Sequence, residues 1–354
     1  METRSKYPKV SILLPSLNSR PYLDERMRSI REQTFTDWEL IVLDSGSTDG
    51  SWEFFQEYAK EDSRIQIYQN SIRGIYFNLN GLVSIAKGEY YYFAMADDTM
   101  EPNALEELVN ALEEHPKCGI AHCNLLIIDE DNQQSNQKLW DTFFIVRYFG
   151  DLIHQKHIRK APHDSLLHFS GITVYTSLTQ LLIRSAVFWL FGDFSLDFGS
   201  MADYEWVLRA TSYISTVHVP KYLATWRIHS LQATSDNRLN LAKGEGLFIK
   251  MARYAIQKAR VRFPDAFDEY NMDELFYILE KEHLYYKLNN CNTKFGKYLV
   301  ALEYLYRNPF LLNEYRIARE EKRNFISQED TLDYIKRIIT RYDLEKNLIL
   351  LPSS

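Results

Sequence analysis

The sequence predicts an α/β fold built on a parallel sheet, with a helical extension behind it. Three observations carry the prediction. Short apolar runs at residues 9–14, 38–43 and 90–95 each stop at polar residues. Between the first two runs, residues 22–33 place Leu23, Met27 and Ile30 on one helical face, so strand, helix and strand alternate. Beyond about residue 230, only helical stripes remain.

Taken in order, the first strand closes at Pro15-Ser-Leu-Asn18 and the second at the turn Asp44-Ser-Gly-Ser-Thr-Asp-Gly50. A third strand is expected at residues 65–68, and a fourth at residues 90–95 runs into Asp97-Asp98. Residues 104–114 set Leu105, Leu108, Val109 and Leu112 on one helical face, and another strand follows at residues 119–123. Residues 129–136 are polar and read as a turn or loop. From Trp140 to His168, aromatics mix with His154, His157, His163 and His168 without strand or helix period, so this segment is expected to wrap the acceptor side of a crevice. Apolar order returns at residues 179–184 and 187–191. A helix at residues 202–209 then carries Asp203 at its amino end, followed by strand-like runs at 216–219 and 223–229.

Ser, Thr, Asn and Asp cluster at residues 231–242, which sets the expected organisation: a catalytic α/β domain over residues 1–235 and a helical domain over 236–354. The helical stripes are Leu247, Met251, Tyr254 and Ala255, then Leu275, Leu279 and Tyr286, then Leu332, Ile335 and Ile339. Two surfaces stand open for these helices, packing or self-association (a homo-oligomer) and peripheral contact with a membrane.

A net charge of −7 over 354 residues argues against nucleic acid as a partner, because such binding depends on a basic surface that displaces counterions. The three cysteines, Cys118, Cys123 and Cys291, form no spaced metal set and fit a reducing compartment. The first eight residues lack the apolar core of a signal peptide, and no run reaches the roughly 18 apolar residues of a membrane span. The expected location is therefore cytoplasmic, with the inner face of the membrane as its peripheral variant.

In parallel α/β sheets ligands sit beyond the carboxyl ends of the strands, so Asn18, Asp44 and Asp97 are expected to converge on one crevice. Asn18 and Asp44 can hydrogen-bond a base or ribose edge. Asp97 and Asp98 repel one another unless a hard cation with substrate phosphates offsets the repulsion. The plainer alternative makes Asp98 a cap for the helix near Pro102 and leaves Asp97 solvated. Asp203 likewise reads as a base or as a cap, and His229 as a ligand or as a core histidine beside Trp226. For the histidines between 154 and 168, acceptor hydrogen bonding is a better reading than structural zinc, given their varied spacing. GxGxxG is absent, which disfavours a dehydrogenase.

Together these stations resemble the inverting family 2 glycosyltransferases of the GT-A fold, over about residues 8–232. The carrying motifs are VSILLPSLN at 10–18, DSGSTDGS at 44–51, GIY at 74–76 with Asn80, AKGEY at 86–90, ADD at 96–98, the block from Phe198 to Arg209, and WRIH at 226–229. The resemblance implies a Rossmann-like mixed sheet flanked by helices. It also implies a nucleotide-sugar donor, UDP-linked, and a saccharide or saccharide-lipid acceptor, with Mg²⁺ or Mn²⁺ as the cofactor of a hexosyltransferase-like enzyme in polysaccharide biosynthesis. By position it implies base recognition by Asp44, with Pro15 and Asn18 lining the same pocket and Asn80 among the donor-binding residues. Asp97, Asp98 and His229 would hold metal and diphosphate, and Asp203 would be the general base. The chain departs from the pattern at Met95, where many members have the first Asp of DxD, and at Phe77, Leu82 and Thr179. A noncatalytic carbohydrate-binding or scaffold protein on a degenerate GT-A fold is the alternative from a different class.

Overall fold

The computed structural model describes residues 7–72, 74–131, 133–134, 144–171, 173–229, 246–289, 291, 293–308, 311 and 328–352. The polar cluster expected to mark a boundary at residues 231–242 lies outside them.

Strand β1 (Val10–Ser16) is buried along its whole length. Helices on both faces of a parallel sheet demand this, and they explain a near-continuous apolar run in place of alternation. Helix α1 (Arg20–Arg31) opens on Pro21 and buries Leu23, Arg26, Met27 and Ile30, the expected stripe with one charged member added. Next come β2 (Trp38–Asp44), α2 (Ser51–Glu61), β3 (Ile65–Gln69), α3 (Ile75–Ile85) and β4 (Tyr90–Phe93). Gly88, just before β4, has a packing reason. A Cβ there would stand 2.5 Å from the Ser11 amide nitrogen, where the glycine N–H instead donates to Ser11 Oγ at 2.8 Å.

After α4 (Ala104–Glu114) and β5 (Cys118–Ile128), the segment expected to be irregular contains α5 (Phe144–Phe149), β6 (His157–Arg159) and α6 (His163–His168). Strand β7 (Leu181–Arg184) runs straight into α7 (Ser185–Phe191), so the second apolar run there is helical. Helix α8 (Ala202–Thr211) precedes β8 (Ser215–Arg227), one long strand where two runs were read; register shifts against β5 mark the irregularity between them. The extension supplies α9 (Leu247–Arg262), α10 (Met272–Asn289), α11 (Lys294–Arg307) and α12 (Gln328–Arg341). It is not helical throughout, because β9 (Leu348–Leu350) pairs antiparallel with β6.

The nine strands form one mixed sheet in the order β3-β2-β1-β4-β7-β5-β8-β6-β9. Strands β1 to β4 are mutually parallel, β7 runs antiparallel between β4 and β5, and β8 runs parallel to β5. The carboxyl ends of β1, β2, β4, β5 and β8 therefore share one edge. Helix α8 returns to the start of β8, so its amino end lies at that same edge. The extension packs onto this scaffold rather than beside it: Met251, Ala255, Leu275, Tyr334 and Ile338 belong to the same buried cluster as Leu13, Val42 and Leu182.

A tier of buried polar groups lies between β5, β6, α6 and β8. The rings of His122 and His157 lie 4.7 and 4.8 Å from that of His218, and Arg159 grips Asp164 through two bonds of 2.6 and 3.1 Å. The hydroxyls of Tyr175 and Thr216 donate to the same carboxylate. Burial opposes ionisation of Asp164, but Arg159 and His163 outweigh it and hold the carboxyl well below its usual range. His157, His163 and His168 are thus core groups with protein partners. The expectation that they bond an acceptor is corrected: the segment buries them in this tier.

Candidate functional site

At the carboxyl edge, the loops after β1 and β2 are tied to each other. Asn18, held at φ 51°, accepts the Thr48 amide on Oδ1 at 2.9 Å, and its own amide donates to Ser47 Oγ at 2.8 Å. Asp44 is fully buried beneath this junction. Its Oδ2 accepts from the amides of Gly46 and Ser47 and from Gln69 Nε2 at 2.9 to 3.1 Å, while Oδ1 accepts from Ser47 Oγ. Asp44 therefore shapes the loop of residues 44–50 from inside. Pro15 sits in β1 opposite Leu43, one position before the Ser16–Asp44 pair. Asn80 lies elsewhere than the pocket rim expected for it, exchanging two hydrogen bonds with the backbone of Phe194 and clamping α3 to the segment after α7.

The two adjacent carboxylates face opposite ways. Asp98 is 2% exposed; its Oδ1 accepts the Arg227 amide at 2.8 Å and its Oδ2 the hydroxyls of Thr179 and Ser177 at 3.3 and 3.5 Å. Burial, reinforced by the charge of Asp97, pushes its proton affinity well above the ordinary carboxylate value. Where a metal or diphosphate contact, or a helix cap near Pro102, was expected, the structure has a buried clasp between β4 and β8. Thr179 is part of that clasp. Asp97 keeps a side chain 31% exposed, with Oδ2 2.9 Å from Nε2 of His229 at the end of β8.

Arg227 carries more of this site than its motif position revealed. Its guanidinium bonds the carbonyls of Asp97 and Asp129 at 2.6 and 2.7 Å and the Glu25 carboxylate at 3.3 Å, so β4, β5 and α1 are fixed around one side chain. Tyr22 packs at 5.1 Å from the His229 ring and 5.2 Å from the Arg227 guanidinium. Both residues lie in segments that were quoted for other reasons. The sequence signal was the pairing of Arg with His two positions apart at a strand end.

Asp203 stands in the first turn of α8, half-buried, with Oδ1 accepting the Tyr204 amide at 2.8 Å. Burial raises its proton affinity above the usual carboxylate value, against the opposing hydrogen bonds of the Tyr76 hydroxyl and the local amides. A helix start alone predicts the opposite sign, so desolvation wins here. Of the neighbouring carboxylates, Glu205 is buried in an ion pair with Arg209, and Asp193 and Asp197 are exposed. The sheet topology thus brings Asn18, Asp44, Asp97, His229 and Asp203 to one edge, with Asp98 behind it.

Among the described residues no group of three or more His, Cys, Asp or Glu side chains gathers as a metal set. Asp97 and His229 offer one carboxylate and one imidazole. That number suits a hard cation held by one or two protein carboxylates and completed by substrate phosphates and water. Met95 packs against the apolar core and brings no oxygen ligand to such an ion.

A doubly tied loop pair over a parallel sheet, a carboxylate–imidazole pair at the next strand end and a carboxylate at a returning helix define the class: an α/β fold with its ligand crevice at the carboxyl edge. Residues 11–175 match the family model described as Glycosyl transferase family 2. It is 30% identical over 125 residues to the putative teichuronic acid biosynthesis glycosyltransferase TuaG of Bacillus subtilis, covering 35% of this chain and 49% of the relative. It is 35% identical over 129 residues to the GalNAc(5)-diNAcBac-PP-undecaprenol beta-1,3-glucosyltransferase of Campylobacter jejuni, covering 35% and 40%. The match spans half or less of the length of these relatives. In three dimensions the chain resembles S. aureus TarS in complex with UDP-GlcNAc, with TM-score 0.59 and 14% identity over 95% of this chain and 92% of the other, which confirms the GT-A architecture. Among the described residues no helix is long and apolar enough to cross a membrane.

Proposed function

We propose that the chain is an inverting glycosyltransferase that moves a sugar from a nucleotide donor, UDP-linked, to a hydroxyl of a saccharide or lipid-linked saccharide in polysaccharide assembly. The carrying observation is the placement of the Asp97–His229 pair and Asp203 at one edge of the sheet. A displacement at the anomeric carbon needs a base on the acceptor side and positive charge on the diphosphate side, and these residues divide those tasks.

Asp203 takes the proton of the attacking hydroxyl. Its raised proton affinity makes it a stronger base than a solvated aspartate, and the Tyr76 hydroxyl keeps its carboxylate oriented. Asp44 and Asn18 hold the two loops that receive the base and ribose, with the backbone of residues 45–48 as the contact surface. Asp97 and His229 would hold Mg²⁺ or Mn²⁺, which would supply positive charge to the departing diphosphate when bound. The relatives named for teichuronic acid biosynthesis and for an undecaprenol-linked acceptor, and the structural neighbour with UDP-GlcNAc, support this donor and acceptor class.

The test is a donor-hydrolysis and transfer screen over UDP-, GDP- and TDP-sugars with Mn²⁺. Turnover of a UDP-sugar that is lost in Asp203→Asn with UDP binding intact supports the reading. Saccharide binding without any nucleotide-dependent turnover would replace it with a noncatalytic carbohydrate-binding role.

A further inference from the structure

A cavity of about 870 Å³ opens at the opposite, amino-terminal edge of the parallel strands. One wall is the sheet edge, with Lys117 and Cys118 at the start of β5, Lys160 after β6, Tyr213 before β8 and Ser215 at its start. The other wall is the turn between α9 and α10, with Asp265, Phe267 and Tyr270. The volume lies within the roughly 300–1,000 Å³ of ordinary small-molecule sites.

The cavity is preorganised. The ring of Tyr213 is 54% exposed, yet it is stacked on Phe263 at 3.6 Å and 11°, and Phe263 in turn packs on Phe191. One face of an immobilised aromatic ring is therefore presented outward at little entropic cost. Arg260 pins the opposite wall, bonding the Ala266 carbonyl at 3.0 Å and the Asp268 carboxylate at 2.7 Å. Among the described residues, the ammonium groups of Lys117 and Lys160 and the carboxylate of Asp265 have no hydrogen-bond or ion-pair partner. Donors and acceptors thus surround a stacking platform, with charges of both signs and no excess for a polyanion to exploit.

We propose that this cavity is a second saccharide site that holds a neutral stretch of the acceptor or product chain, its sugar ring stacked on Tyr213 and its hydroxyls shared between Lys117, Lys160 and Asp265. The proposal rests on the glycosyltransferase reading for the identity of the chain. The two sites are separated by the length of the sheet, roughly 20–35 Å for strands of this size. A single sugar cannot touch both, so the second site discriminates by chain length.

The experiment is a glycan array of neutral hexose and N-acetylhexosamine oligosaccharides probed with the full chain, followed by saturation-transfer NMR on each hit with parent, Tyr213→Ala and Asp265→Ala protein. UDP calorimetry is run on all three. The expected result is a neutral oligosaccharide whose affinity falls about tenfold in Tyr213→Ala, and in Asp265→Ala as well, while UDP binding is unchanged. Parent protein that binds UDP but no neutral oligosaccharide, or a hit indifferent to both substitutions or displaced by UDP, overturns the second site alone. Parent protein that binds no UDP overturns the reading beneath it.

Discussion

The Nε2 atom of His229 lies 2.9 Å from Oδ2 of Asp97, across 132 positions of sequence, and the other ring nitrogen of His229 is buried with no partner among the described residues. Among those residues the carboxylate is thus the hydrogen-bond partner that orients the imidazole, with the Tyr22 ring packed against it. Calorimetry of UDP with and without Mn²⁺ should show a metal-dependent gain in the parent that disappears in Asp97→Asn and shrinks in His229→Ala. An undiminished gain in Asp97→Asn rules this pair out as the metal holder.

Asp98 should behave as the reverse of its neighbour. Removing its carboxylate leaves the Arg227 amide and two hydroxyls unmatched in a buried place, costing about 1–3 kcal/mol. Asp98→Ala should thus lower the thermal midpoint by several degrees, whereas Asp97→Ala, at a side chain 31% exposed, should shift it little. Equal midpoints for the two variants would contradict the clasp.

The Tyr76 hydroxyl favours the ionised form of Asp203, and burial disfavours it more. The acid limb of the kcat/KM profile should therefore stand above that of an ordinary aspartate. Tyr76→Phe removes a stabilising bond to the carboxylate, so it should move that limb to still higher pH. Asp203→Asn should reduce transfer by roughly 10²–10⁴-fold with UDP affinity retained. Turnover within a few-fold of the parent would reduce Asp203 to a helix-start group.

The histidine tier makes the fold acid-labile. Burial drives His157 to about 3 and His168 to about 4, and holds His122 and His218 well below their ordinary value. A depressed folded value means that stability is complete above the unfolded value near 6.5. Below it, stability falls as the pH drops toward the folded values, with a limit of about 1.4 kcal/mol per pH unit for a single independent histidine. Urea midpoints at pH 7.5 and 5.5 should differ substantially, and His157→Gln should flatten the difference.

The sheet was legible because its first strands are buried on both faces, and each ends in a polar group that marks the edge: Asn18 after β1, Asp44 on β2, Asp97 after β4. Short apolar runs were less readable. The run from Val187 to Phe191 is helical, because five apolar residues carry too little period to choose, and the strand from His157 to Arg159 is only three residues long with a single apolar member, too short to show any period. At the site, the order of motifs located Asp97 and Asp203, but not the direction in which Asp98 points. Asp97 and Asp98 lie in a turn beyond the end of β4, where no sequence period applies, and only the contacts of Asp98 with Arg227 and Thr179 turn it inward. Arg26 had a signal that was passed over. It falls on the same helical face as Leu23 and Ile30, and it is fully buried beside the Tyr92 ring.

Strand β9 gives the chain a temporal asymmetry. Every residue assigned to the crevice has been synthesised by His229, yet the outer edge of β6 stays unpaired until Leu348–Leu350 arrives behind the helices of the extension. Until then the outer edge of β6 is an open, hydrogen-bonding strand. That strand is a template to which any passing chain could add. Chaperone demand for this protein should concentrate in that interval, and it should end when the ninth strand docks.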